Sequence, residues 1–96
     1  MIIKLNPIRW DRGLVIYKQG DALTINGEVF DFSQLLEDQA LPSGAVGSEF
    51  VVGEVVRQDG QLVISLLAPH RAQASEAARF PADFTDPPDG PVELPR

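Results

Sequence analysis

Ninety-six residues without a single cysteine leave room for one domain and exclude a disulfide framework, a thiolate metal site and a cysteine nucleophile. The net charge of −6 opposes a phosphate backbone and argues against nucleic acid as a partner. The charge is uneven: residues 1–19 hold Lys4, Arg9, Arg12 and Lys18 against Asp11 alone, whereas Arg57 is the one base between residues 20 and 69.

The opening MIIKLNPIRW is β-prone at residues 1–5 and closed by Asn6-Pro7. Proline removes a ladder donor and forces the residue before it to be extended, so a strand here ends at Pro7 or lies at an edge. Its short apolar run, broken by Lys4 and Pro7, is unlike a signal peptide, and no later stretch approaches a membrane span. With no cysteine to suggest an oxidising compartment, the cytoplasm is the expected location. Trp10 is the sole tryptophan. It reads as a half-buried cover on the end of a small core, or, if exposed, as an anchor for a partner.

Residues 14–32 predict a three-stranded meander with turns at Gly20-Asp21 and Asn26-Gly27. Asn-Gly between apolar runs is a strong hairpin signal, because a type I′ turn needs positive φ at both central residues. The first turn pairs Ile16 with Ile25 and Lys18 with Leu23. The second pairs Ile25 with Glu28 and Leu23 with Phe30. Paired residues share a face, so Leu14, Ile16, Leu23, Ile25, Phe30 and Phe32 fall on one side, and Tyr17, Ala22, Thr24, Val29 and Asp31 on the other. One apolar face opposite a more polar one suits an antiparallel sheet packed on a core.

Residues 33–38 (SQLLED) suggest one helical turn capped by Ser33, and residues 41–47 a loop with Leu41 or Val46 tucked beneath it. Residues 48–57 and 61–68 predict a second hairpin about Asp59-Gly60, pairing Arg57 with Leu62, Val55 with Ile64 and Val52 with Leu67. Both its faces are apolar: Phe50, Val52, Val56, Val63 and Leu67 on one, Val51, Val55, Leu62, Ile64 and Leu66 on the other. Such strands sit centrally in a sheet, span a sandwich, or lie at a subunit interface. Gly53 marks a bulge or a close backbone approach. Residues 72–79 are helix-prone. Residues 80–96 carry Pro81, Pro87, Pro88, Pro91 and Pro95 with four acids, a composition for an extended, acidic tail that is anchored by Phe80, Phe84, Val92 and Leu94 or else mobile.

Chemistry finds little to work with. His70 is the only histidine, so a two-histidine metal site is impossible and a serine triad would need it beside Ser43, Ser48, Ser65 or Ser75 with no Gly-x-Ser-x-Gly element to place them. The acid pairs Glu37-Asp38 and Asp86/Asp89 read as solvated. Glu54, between valines and opposite Ser65 in the predicted register, would be a partly buried carboxylate at an edge or interface. No glycine-rich phosphate loop occurs.

The segments IIKLNPIRWD, GDALTINGEVFDFSQL, LLAPH, ARFPA and DGPVELP together resemble a group of small uncharacterised proteins from bacteriophage and prophage tail regions. The resemblance spans most of the chain as an overall order rather than a diagnostic motif. It implies a phage-related, non-enzymatic setting, with virion association as the alternative to the cytoplasm, and it carries over no functional residue.

The sequence therefore predicts an all-β, mainly antiparallel chain: a small β-sandwich or β-roll of hairpins at 1–80, with one or two short helical turns, followed by an extended proline-rich tail at 81–96. The expected function is structural or assembly, through a protein partner or self-association, with no cofactor, metal, nucleic acid or membrane. Expected contact residues are Trp10, Tyr17, Phe50, Phe84, Val92 and Leu94. The alternative is a small ligand- or carbohydrate-binding β module with a pocket near Trp10, Tyr17 and Phe50. An enzyme is the remote third reading.

Overall fold

The computed structural model describes residues 1–94; residues 95 and 96, the end of the expected tail, lie outside the described residues. In chain order the elements are β1 (Ile2–Arg9), β2 (Ile16–Gln19), β3 (Ala22–Ile25), β4 (Glu28–Asp31), β5 (Ala40–Leu41), α1 (Ser43–Val46), β6 (Val55–Gln58), β7 (Gln61–His70), α2 (Glu76–Arg79), β8 (Phe84–Thr85) and β9 (Gly90–Val92). They form two sheets, ordered β5-β6-β7-β1-β8 and β4-β3-β2-β9, hereafter the large and the small sheet. The Cα radius of gyration of 12.9 Å is that of a compact chain.

The small sheet follows the local turn chemistry. Ile16 pairs with Ile25, Lys18 with Leu23, Leu23 with Phe30 and Ile25 with Glu28, as the turn positions dictate. Asn26 and Gly27 take φ of 50° and 85°, both positive as a type I′ turn requires. Asn26 also ties down the loop before β2. Its Oδ1 accepts from the Val15 amide at 2.7 Å and its Nδ2 donates to the Gly13 carbonyl at 3.0 Å. Ile16, Leu23, Ile25 and Phe32 are buried, and Leu14 and Phe30 pack against them, so the predicted apolar face is the inner face.

The large sheet departs from expectation in three places. First, β1 runs through Pro7 to Arg9 and pairs in parallel with β7 over its whole length, Ile2 beside Val63 and Arg9 beside His70. The Trp10 amide donates towards β7, to the His70 carbonyl at 3.0 Å, and the Leu5 amide donates the other way, to Asp83 Oδ1 at 3.3 Å. Amides alternate along a strand, so Pro7 aims its missing donor in Leu5's direction, at an edge that β8 covers only beside Ile2 and Ile3. Nothing is lost by placing proline there.

Second, the pairing of Val52 with Leu67 does not form. The register about Asp59-Gly60 holds from Gln58–Gln61 to Val56–Val63, but upstream the contact is a bridge between Val51 and Leu66. Here the Leu67 amide donates to the Phe50 carbonyl at 2.7 Å and the Val52 amide to Ser65 at 3.0 Å. The slip is a bulge at Gly53, whose φ is +69°. It turns Glu54 out to solvent instead of opposite Ser65. Third, residues 33–38 form two turns and no helix. Glu37 takes both amides of the second hairpin turn, Asp59 and Gly60, at 2.8 Å each, and the Asp38 amide reaches the Arg57 carbonyl at 3.0 Å. Tertiary hydrogen bonds outweigh one turn of helix, which is unstable alone.

The residues expected as a tail contribute to both sheets. Phe84 and Thr85 pair with Ile3 and Ile2, and Gly90, Pro91 and Val92 pair with Lys18, Tyr17 and Ile16. Ion pairs hold each piece: Asp86 meets the Met1 ammonium at 3.2 Å, and Asp89 meets Lys18 at 2.7 Å. Helix α2 is capped by Ser75, whose hydroxyl accepts from the Ala78 amide at 3.2 Å. It packs on β1 and β7, and its buried Ala78 lies outside the main core cluster, so it covers the large sheet's other face.

The core itself gathers Ile3, Leu5, Ile16, Leu23, Val55, Leu62, Ile64, Leu66 and Val92 from both sheets into one cluster. Along β7 the alternation is strict: Leu62, Ile64, Leu66 and Ala68 are buried, while Val63, Ser65, Leu67 and Pro69 are half-buried. Burial of each such aliphatic side chain contributes about 1.5–3 kcal/mol.

Candidate interaction surface

Four strands end the two sheets, and they are not equivalent as edges. β5 and β8 are two residues long. β9 is three residues with proline in its middle. β4 is four residues, Glu-Val-Phe-Asp, with neither proline nor lysine. Short strands, proline and charged side chains are devices that discourage further pairing; β4 is the longest of the four and carries only the acids at its two ends, Glu28 and Asp31.

The small sheet also presents an outer face. Tyr17 pairs with Pro91 on one side and Thr24 on the other, and Thr24 pairs with Val29. The four side chains thus form one row across all four strands, with Tyr17 48% and Val29 66% exposed. Val29 is not part of the core cluster.

On the inner side of β4 lies a cleft of about 300 Å³, lined by Ile25, Glu28 and Phe30 from the small sheet and by Arg12, Ser48, Glu49 and Phe50 from the facing loops. Arg12 closes one wall. Its guanidinium sits 4.9 Å from the Trp10 ring centroid and 5.1 Å from that of Phe50, and it forms an ion pair with Glu49. Trp10 and Phe50 touch with centroids 5.6 Å apart and planes tilted by 40°. A cation over an aromatic face at such a site is worth about 0.5–1 kcal/mol.

A second groove, about 350 Å³, lies where β8 and β9 meet, lined by Phe84, Pro87, Pro88, Pro91 and Val92.

The expected contact residues scatter over these features. Trp10 is half-buried under Arg12, and Tyr17 stands on the outer face. Phe50 and Val92 are core residues, 3% and 7% exposed, that show only a margin to a cleft. Phe84 and Leu94 pack half-buried against the core. Tyr17 is not part of the cleft near Trp10 and Phe50. Val29 and Pro91, the remaining exposed members of the outer row, were not among the expected contacts. The alternation that put Val29 beside Thr24 was a signal for one of them; Pro91 needed the long-range β2–β9 pairing.

Two carboxylates carry resolved electrostatic signatures. Asp31, at the end of β4, is held below its ordinary value by hydrogen bonds from the Ser33 amide and hydroxyl. Asp89 is lowered by the hydrogen bond from Lys18 and then by that from the Gly20 amide, so both stay charged at neutral pH. Among the described residues no three His, Asp or Glu side chains gather as metal ligands would, and no helix is long and apolar enough to cross a membrane.

Comparison with protein-family models, curated proteins and solved structures finds no match.

Proposed function

We propose that this chain is a non-enzymatic structural or assembly protein that acts by contacting another protein, in the setting of a bacteriophage tail region. In this reading the two sheets are the layers of a small β-sandwich, and residues 81–94 are a tail that straps its open edges. The observation that carries it is the outer row of Tyr17, Thr24, Val29 and Pro91, an uncharged strip on a chain whose net charge is −6. Aromatic side chains exposed in such strips are the residues that anchor protein interfaces. The phage setting rests on the resemblance of the segments quoted above.

The test is capture of the purified products of the adjacent genes. Wild type should retain one of them, and Tyr17→Lys, a change on the outer face, should lose it at least tenfold with an unchanged thermal midpoint. Equal capture by both proteins, or none by either, would defeat the proposal.

A second reading, a small ligand- or carbohydrate-binding module, is favoured by the cleft that Arg12, Glu28, Glu49 and Phe50 line beside Trp10. A ligand seated there would move Arg12 and change Trp10 fluorescence, so titration with a sugar and amino-acid library separates the two readings.

A further inference from the structure

We infer that β4 is an acceptor edge for an extended segment of a basic partner protein, which adds to the small sheet as a fifth strand and sends a lysine or arginine into the cleft beneath. This rests on the protein-contact reading and names the partner's chemistry and docking mode.

The backbone geometry fixes which groups are offered. In a two-residue hairpin the residues flanking the turn form the hydrogen-bonded pair, so Glu28 and Phe30 direct their amides and carbonyls to β3. The Phe32 amide, in the same phase, donates to the Asp21 carbonyl at 3.0 Å. Val29 and Asp31 therefore direct their amides and carbonyls outward, and no backbone partner meets them among the described residues.

The side chains fix what fits. Glu28 and Phe30 face inward and line the cleft, while Val29 faces outward. A strand laid beside β4 places alternate side chains the same way. Its outward residues extend the row of Tyr17, Thr24 and Val29. Its inward residues enter a space with Ile25, Phe30 and Phe50 on its walls and Glu28 on its rim, beside an Arg12 that is already paired with Glu49. An apolar stem with a cationic head matches those walls and that rim. Glu28 forms no ion pair with any described residue, so its charge is free to meet the newcomer.

Charge also selects against a second copy. Pairing β4 with itself would bring Glu28 and Asp31 of both chains within about 10 Å, the range over which charges are felt at physiological salt. Each chain carries a net charge of −6. The acids at the two ends of β4 thus do what lysine does on other edges, and they leave the edge open to a partner of opposite sign.

The experiment uses two capped seven-residue peptides, one alternating valine with lysine and one alternating valine with glutamate, with amide hydrogen exchange as the readout. The lysine peptide should slow exchange at Val29 and Asp31 at least tenfold, with an affinity that falls as salt rises. The glutamate peptide should leave both amides unchanged. Val29→Pro removes an outward donor that β3 does not use, so the protein should stay folded, with the lysine peptide's effect abolished. Glu28→Gln should weaken that peptide about fivefold.

Equal response to both peptides, protection confined to another strand, or no protection with the lysine peptide would each overturn the inference. So would concentration-dependent dimerisation lost in Val29→Pro, which would make the occupant a second copy. A gene-neighbour partner lost in Tyr17→Lys and retained in Val29→Pro would overturn the strand-addition mode and leave the protein-contact reading standing. Failure of all neighbour capture alongside a positive peptide result would do the reverse.

Discussion

Arg57, on β6 of the large sheet, places its Nη2 3.0 Å from Oδ2 of Asp21 in the β2–β3 turn of the small sheet. The same guanidinium donates to the Phe32 carbonyl at 3.2 Å and, through Nε, to that of Leu35. The one base of the acidic middle of the chain thus ties the two sheets together and satisfies two carbonyls of the linker between them. A planar fork of donors is what such a junction needs.

Replacing Arg57 with methionine keeps much of the stem and removes the fork. The side chain is 14% exposed, and its loss takes the donor from the Leu35 carbonyl, whereas the Phe32 carbonyl keeps the Leu35 amide at 3.1 Å. The expected loss is about 1–3 kcal/mol, read from the shift of the urea midpoint. Asp21→Asn should cost less, about 1 kcal/mol or under, because its carboxylate is 41% exposed. Equal losses would mean that the ion pair, not the carbonyl contacts, matters at this junction.

Asp89 makes stability depend on pH in a definite direction. Its folded-state value lies below its ordinary 3.8, through Lys18 first and the Gly20 amide second. A lowered carboxylate contributes stability that is whole above the ordinary value and disappears as pH falls through the folded one. Wild type should therefore exceed Asp89→Asn by a constant margin from pH 5 to 7, and the two should converge below pH 3.8. A margin that persists at pH 2 would refute the assignment.

Gly53 holds the bulge at φ +69°, and no neighbouring atom lies within 4 Å of the place a Cβ would take. Space is available, so Gly53→Ala costs only the conformational penalty, about 1 kcal/mol. A thermal midpoint unchanged by this substitution would mean that the bulge relaxes.

Residues 84–85 and 90–92 belong to the sheets, so truncation after Asp83 should do more than remove an appendage. It strips β8 from β1 and β9 from β2, and it takes away Val92, 7% exposed in the core. The truncated chain should lose its cooperative unfolding transition and bind a hydrophobic dye. Val92→Ala in the full chain should remain folded and lose about 1–3 kcal/mol. A truncated protein with a sharp transition near that of wild type would show that the straps are dispensable.

The small sheet was legible because its information is local. Gly20-Asp21 and Asn26-Gly27 set both registers, and a two-residue turn leaves the flanking strands no freedom to slide. The apolar alternation of Ile16, Leu23, Ile25 and Phe30 then had to face the core. The Asp59-Gly60 turn likewise set the near half of the second hairpin, and Gly53 announced the bulge without saying how far the register would slip. The exposed Val29 followed from the same alternation, whereas the open edge it stands on did not, since an edge is defined by which strand fails to arrive.

What only the tertiary structure decided is everything that joins residues far apart in the chain. The parallel union of Ile2–Arg9 with β7, the passage of a strand through Pro7, the straps at β8 and β9, and the use of residues 33–38 as a hydrogen-bonded linker instead of a helix all depend on partners sixty or more residues away or on a guanidinium from another sheet. Turn chemistry reaches only as far as the next strand. Which strands then lie side by side is chosen by how the whole apolar surface is buried at once, and no short stretch of sequence contains that choice.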